Sequence, residues 1–545
     1  MTAAVSPARG RTGSRAASSH LTGTGAMVRL ALRRDRIKLP IWVLATTVLV
    51  PRFYYAATTT VVPTPEALAE ATRLIRVSFM KVLAGPFFGV EAVTTQKYFL
   101  AAYWVEFLLA AALMNMLLIT RHTRAEEQTG RAELIRAAVI GRHAQLTAAL
   151  IVALLGNAVL AAFTAVAAIS IGFPTGSALL FGASLAAAGL VFAAVTAVTA
   201  VTAQLTEYTR SASGLAGVAL FGAWILRGAG AMQTQEGGPL FWLSPIGWSQ
   251  QARVLAGDRW WPLGLSALLA GLLVAGAYAL AGRRDLGAAL VAPRPGRPSA
   301  PSWLRSPFTL ALRLQQAAIG WWGAAFVAVG LVLGGMTGGM SNTDLPIFAG
   351  ADFGRAWLSL MVFTGSLYTG VFAVLSILRL RAEEVRGRIG PVLAGPTSRS
   401  TWLGSSLLVS ALAVAVLLAV YGFALGAGAA ASSGDLALAG EVIRACLLRI
   451  PEVLVLLAVP AALLGLAPRA ISAAWVVLVY SGFVQILGSY QGVPGWLVNT
   501  SVLSHLPWHP LGAFAPVATV VLVALAGALT ALGLYGLRRR DLTTV

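Results

Sequence analysis

Arg124-Ala-Glu-Glu-Gln-Thr-Gly-Arg131 returns 257 residues later as Arg381-Ala-Glu-Glu-Val-Arg-Gly-Arg388 in a chain of 545 residues. Other islands recur in the same order. Leu30-Ala-Leu-Arg33 matches Leu310-Ala-Leu-Arg313, and Arg283-Arg-Asp-Leu286 matches Arg539-Arg-Asp-Leu542. Leu243-Ser244 ahead of Pro245 has a weaker echo in Leu503-Ser504 ahead of Pro507. Conserved order along the whole length means one unit written twice. Nearly everything between the islands is apolar, so the repeated unit reads as a bundle of membrane helices.

Composition supports this. Hydrophobic residues make up 57% of the chain and charged ones 11%, with a mean hydropathy of +0.78. A soluble domain carries about 25% charged residues. Apolar runs of about 20 residues, enough for a ~30 Å hydrocarbon core, recur throughout. The expected fold is an all-α polytopic membrane protein of two homologous six-helix halves. The net charge of +20 argues less for nucleic acid than for topology. On the span assignment below, 29 of the 40 Lys+Arg residues fall on one side and 11 on the other. The positive-inside bias makes the first side, with both termini, cytoplasmic. Only Lys38, Lys81 and Lys97 are lysines, an Arg-for-Lys skew typical of a high-GC genome. The sole cysteine, Cys446, excludes an internal disulfide and any multi-cysteine metal site.

The expected spans are 37–57, 98–120, 144–172, 177–204, 211–229 and 261–281, then 317–338, 356–378, 404–427, 447–467, 470–488 and 512–536. The domain reading is a disordered cytoplasmic tail at 1–26, a first six-span half at 27–286, a Pro/Arg-rich linker at 287–307 and a second half at 308–545. The tenth span is crowded at its outer end by Arg449, Pro451 and Glu452. The first half carries extra residues between its first two spans. There Thr64-Pro65-Glu66 reads as a helix start, and Leu68, Leu74, Ile75 and Phe79 as the greasy side of an amphipathic helix reaching about Leu83. This helix reads as a lid packed on the bundle or lying at the lipid surface, with a substrate gate as the sharper alternative. Trp242, Trp248, Trp260 and Trp261, with Trp496 and Trp508 in the partner loop, suit an interface, and nearby prolines suggest short, broken, re-entrant helices.

Catalytic chemistry is scarce. A P-loop needs Gly-Lys-Ser/Thr, and none of the three lysines stands in that setting. His505 and His509 stand four apart without an evident third metal ligand, so loop histidines are the better reading and no metal is expected. His20, His122 and His143 lie in cytoplasmic segments with no acid or thiol cluster in the sequence. Glu106 is the clearest acid inside a span, and intramembrane charge is functional by default; a structural ion pair is the competing reading. Asn115, Asn157, Gln204 and Arg227 read as interhelical hydrogen bonds or interfacial groups.

The repeated island lies between the second and third spans of each half. In the first copy Glu127 and Arg131 form a favourable i,i+4 pair, and Ala132, Ile135 and Val139 make an apolar stripe. In the second, Val385, Ile389, Val392 and Leu393 do the same. Two short amphipathic helices are therefore expected against the inner membrane face, each with an exposed acidic N-terminal turn. The shared charge order argues for a shared task, such as docking one soluble subunit per half.

The first island Arg121-His-Thr-Arg-Ala-Glu-Glu-Gln-Thr-Gly-Arg-Ala-Glu-Leu134, its second copy and the closing Arg-Arg-Asp-Leu of each half resemble the fused twelve-span permeases of type-2 ATP-binding-cassette exporters. In actinobacteria this group is described as polyketide-antibiotic or tetronasin-type transporters. The second copy departs from the pattern, with Gly390 in place of Glu133 and prolines at Pro391 and Pro396. The resemblance implies a permease in the bacterial plasma membrane, not an enzyme, exporting hydrophobic or amphipathic small molecules from a cavity between the halves. It implies two copies of a separate cytoplasmic ATPase that uses ATP and Mg, with no cofactor on this chain. The implied coupling residues are Arg124, Glu126, Glu127, Gly130 and Arg131, with Arg381, Glu383, Glu384, Gly387 and Arg388; Glu106 is the substrate-pathway candidate. A proton- or ion-coupled secondary transporter with two six-span halves fits the same architecture, though it usually needs more deep carboxylates. A membrane scaffold that transports nothing is a third reading.

Overall fold

The computed structural model describes residues 20–76, 78–89, 91–123, 140–202, 209–234, 236–282, 299–338, 353–488, 494–507, 511 and 513–541. All regular structure among them is helical. The chain divides into two compact units, Met1–Gly296 and Arg297–Val545.

In the first unit α1 (Thr24–Asp35) leads into α2 (Lys38–Ala56), and α2 runs on through a π turn, Ala57–Val61. Next come α3 (Pro65–Arg76) and α4 (Ser78–Ala84), then the long helices α5 (Thr95–His122), α6 (Ala144–Ser170), α7 (Thr175–Thr202) and α8 (Thr209–Gln233). Two short helices, α9 (Pro239–Trp242) and α10 (Pro245–Gln250), precede α11 (Trp261–Gly282). Thr94 caps α5 through its side chain and Ser244 caps α10, whose N1 residue is Pro245. The core is aromatic: Phe99, Phe107, Phe173 and Phe181 are sealed, with Phe107 and Phe181 edge to face at 6.1 Å. Asn115 and Asn157 exchange hydrogen bonds of 3.0 and 2.7 Å across α5 and α6. Paired buried amides avoid a costly orphan, and such interhelical bonds average about 0.6 kcal/mol.

The second unit contains α12 (Pro307–Gly335), α13 (Phe353–Val385), α14 (Gly390–Leu393), α15 (Arg399–Ser433), α16 (Ala437–Leu448) and α17 (Ile450–Leu466). A 3-10 turn at Pro468–Ala473 leads into α18 (Ala474–Gly488), followed by α19 (Gly495–Val498) and α20 (Pro516–Arg539). α12 starts well before the expected 317 because Ser306 and Thr309 form a capping box around Pro307 at N1. α17 and α20 meet backbone to backbone. A Cβ on Gly465 would lie 2.1 Å from the Gly533 carbonyl oxygen, so only small residues allow this crossing.

Eleven helices among the described residues are long and apolar enough to cross a membrane. The expected eleventh span, 470–488, is the exception. Its regular α-helix, α18, has 15 residues, about 22 Å at 1.5 Å per residue, because Pro468 and the 3-10 turn take up its start. The tenth begins earlier than expected, at Ala437, and breaks at Arg449, just before Pro451. The lid helix is present as α3 and α4. Ala71 and Ile75 are buried on a cluster with Ala57, Phe87, Tyr98 and Ala101, so it packs on the bundle. The broken short helices expected near Trp242 are α9 and α10, with Trp242 stacked on Trp261 at 5.4 Å. Trp508 and His509 lie outside the described residues.

Candidate functional site

The second island is not the start of an interfacial helix. Arg381 to Val385 form the last turn of α13, whose buried positions Ile377, Leu380 and Glu384 continue one helical face. The stop is a Schellman motif: Gly387 has φ +69°, its N–H donates to the Glu384 carbonyl at 3.0 Å, and Arg388 N–H donates to the Glu383 carbonyl at 3.0 Å. A glycine three residues after the acidic pair is a helix-stop signal that the amphipathic reading passed over. The expected exposed acidic turn is thereby corrected. Glu384 is fully buried and Glu383 partly so, while Arg386 and Arg388, on either side of Gly387, are exposed. Val392 and Leu393 fall on the four-residue α14, and Ile389 is buried beside it.

An acid in the last turn opposes the helix macrodipole, so Glu384 needs cations. Arg381 lies at 3.1 Å, and Arg540 forks onto both carboxylate oxygens at 2.6 and 2.8 Å. Bidentate charge-assisted pairs of this kind are strong and directional. Arg399, at the start of α15, donates to the Arg540 carbonyl at 2.6 Å. Two islands that looked independent in sequence, Arg-Ala-Glu-Glu and Arg-Arg-Asp-Leu, are one ion-paired unit joining α13, α15 and α20. Glu383 pairs with Arg379 at 3.2 Å. In the first half Glu127 and Arg284 hold the sequence positions of Glu384 and Arg540. The first-half set Arg124, Glu126, Glu127, Gly130 and Arg131 lies outside the described residues.

Just before that first island, α5 is tied to α1. Asp35 is buried and accepts hydrogen bonds from both Arg121 and His122. Burial alone would raise its carboxyl, but the His122 hydrogen bond and the charges of His122, Arg121 and Lys38 hold it below the usual range. His122 therefore has an acid partner after all, brought to it from 87 residues away.

Nearer the middle of α5 stands Glu106, 11 residues in from Thr95. Its side chain is accessible, and the charge of Arg227 acts on it. Arg227 takes the interhelical one of its two expected roles: it is fully buried on α8. Its Nη2 donates to the Val82 and Leu83 carbonyls, the latter at 2.9 Å, and its Nη1 donates to Gln250 Oε1 at 3.4 Å. Gln250 Nε2 donates to the Ala84 carbonyl at 2.8 Å. The orphan carbonyls that end α4 are thus filled by a cation and an amide. In the second unit the charges crowding the tenth span are also buried. Arg449 pairs with Glu452 at 2.9 Å and donates to the Leu506 and Pro507 carbonyls at 3.2 and 3.0 Å.

Among the described residues no group of three His, Cys, Asp or Glu could hold a metal. Eleven long apolar helices among the described residues, with buried ion pairs within and between them, define an all-α polytopic membrane protein. The family profile described as "Multidrug efflux system permease Rv1217c, C-terminal domain" matches residues 25–280 and 304–538. The chain is also 37% identical over 539 residues, 96% of each chain, to the multidrug efflux system permease protein Rv1217c of Mycobacterium tuberculosis (strain ATCC 25618 / H37Rv). The chain belongs to this family of efflux permeases and is a multi-pass bacterial membrane protein.

Two expectations follow from the buried charges. Arg540→Gln leaves Glu384 with Arg381 alone, and Glu384→Gln leaves both arginines without their acid; each should cost about 1–3 kcal/mol, and the double variant less than their sum. Thermal melting of the purified chain measures each loss, and additive losses would show that the fork is not an energetic unit. Arg227→Met removes the donors that hold the end of α4. Trypsin should then cut faster at Arg73 or Lys81, with the other helices still protected; an unchanged cleavage rate would show that packing alone holds α3 and α4.

Proposed function

We propose that the chain is the transmembrane permease subunit of an ATP-driven exporter of hydrophobic or amphipathic small molecules, drugs and polyketide-type antibiotics among them. The observation that carries this reading is the 37% identity, along 96% of both chains, with a permease named for multidrug efflux. Energy comes from two copies of a separate ATP-binding-cassette ATPase that uses ATP and magnesium, since this sequence has no Gly-Lys-Ser/Thr of its own. Both termini and both islands face the cytoplasm, in keeping with the arginine distribution.

The ATPases dock on the islands: Arg124, Glu126, Glu127, Gly130 and Arg131 in one half, Arg381, Glu383, Gly387 and Arg388 in the other. Glu384 has a different part. Buried and forked to Arg540, it passes a displacement of the capped loop into α13 and α20 together. The exposed Arg386 and Arg388 are therefore the side chains to reverse in the second half. Arg386→Glu with Arg388→Glu should leave the melting temperature unchanged yet reduce ATPase recovered in a pull-down by tenfold or more (about 1.4 kcal/mol) and stop export. Full ATPase retention with normal export would refute the docking role.

Glu106, accessible on α5 near the charge of Arg227, is assigned a polar contact on the substrate path. Glu106→Gln keeps shape and hydrogen bonding. It should lower export severalfold while ATPase recovery stays at the unmodified level. Normal export by this variant would return Glu106 to a purely structural part.

A further inference from the structure

The first unit holds a cavity of about 460 Å³ at the island end of α2 and α5, lined by Asp35, Lys38, Leu39, Trp42, Met114, Leu117, Leu118 and Arg121. That volume lies within the range of small-ligand sites, roughly 300–1,000 Å³. Its floor is apolar, with Leu39, Trp42, Met114 and Leu118. Its rim is charged, and one acid faces two cations. Asp35 is committed, since Arg121 and His122 both donate to its carboxylate. Lys38 remains exposed at the rim. Leu117, at the mouth, is 54% exposed, so the opening is apolar as well.

The internal repeat separates what the fold needs from what this cavity adds. Trp42 has its counterpart in Trp322 at the spacing set by the Leu-Ala-Leu-Arg islands. The charged positions do not carry over: Asp35 falls on Gln315, Lys38 on Ala318 and Arg121 on Leu378. This set of charges is therefore special to the first half.

We propose that this cavity binds one phospholipid with an anionic headgroup, its phosphate on Lys38 and the rim, and an acyl segment over Trp42, Met114 and Leu117. Net positive charge over an apolar floor fits a headgroup and chain together, and basic pockets between helices at one membrane face take such lipids. A zwitterionic lipid offers the same phosphate but adds a quaternary ammonium that the net positive rim disfavours. The site is distinct from Glu106, which lies on the same helix 11 residues before Leu117.

The test uses the full chain without the ATPase, so it stands or falls apart from the exporter reading. The detergent-purified protein is given equal phosphatidylglycerol and phosphatidylcholine, and retained lipid is counted by native mass spectrometry. Selective retention of one phosphatidylglycerol is expected. Lys38→Gln should weaken it about fivefold, the size of one basic contact at an anionic surface. Leu117→Trp fills the cavity from an exposed position and should abolish retention. Ala318→Lys, which adds a cation at the second-half position matching Lys38 but without partners for Asp35 and Arg121, should change nothing. Equal retention of both lipids, an unchanged Lys38→Gln, or a gain with Ala318→Lys would overturn the proposal. Displacement of the phosphatidylglycerol by an exported amphiphile would also overturn it, making the cavity a substrate site instead.

Discussion

A guanidinium cut off from water draws acceptors to its N–H groups, and in each half one such group decides where a loop lies. Arg227 draws in the carbonyls that end α4, and Arg449 draws in those of Leu506 and Pro507. Main-chain carbonyls suit this task because a helix end or a broken loop has them to spare. Arg449 also has Glu452 beside it, a full ion pair at 2.9 Å. Arg227 has carbonyls, an amide and the more distant charge of Glu106. The first half thus leaves an acid accessible near its buried cation, whereas the second neutralises its cation on the spot.

At the opposite end the constraint is a carboxylate. Glu384 sits where the helix dipole disfavours it, and three separate helices are fixed by the arginines and carbonyl around it. Such a device resists sliding between α13 and α20 because a bidentate fork tolerates little misalignment. The tight Gly465–Gly533 crossing of α17 and α20 works in the same direction, since backbones in contact leave no slack for side chains to absorb. A push on the exposed loop beyond Gly387 is therefore carried by rigid parts.

The sequence made the class of fold plain, because apolar runs and a repeated charge pattern are both local signals. Most long helices lie within a few residues of their expected positions, and the pairing of Asn115 with Asn157 was anticipated in kind. What stayed hidden was long-range pairing. Nothing local says that Asp35 will meet His122, or that Arg540 will reach back to Glu384. The island was misread for a different reason. Its charges suggested a helix start, but Gly387 three residues on marks a helix end, and burial of Glu384 depended on a partner far along the chain. The short α18 was obscured because Pro468 and the 3-10 turn interrupt a run that hydropathy alone reads as continuous.

The 156 residues between Glu384 and Arg540 have a consequence during synthesis. At about 5–20 residues per second, roughly 8–30 s pass between the emergence of the acid and that of its fork. During that interval Arg381, one turn back on the same helix, is the cation already at hand. The i,i+3 pair then covers the carboxylate while α20 is still being made. The bidentate partner arrives later and locks an arrangement already made.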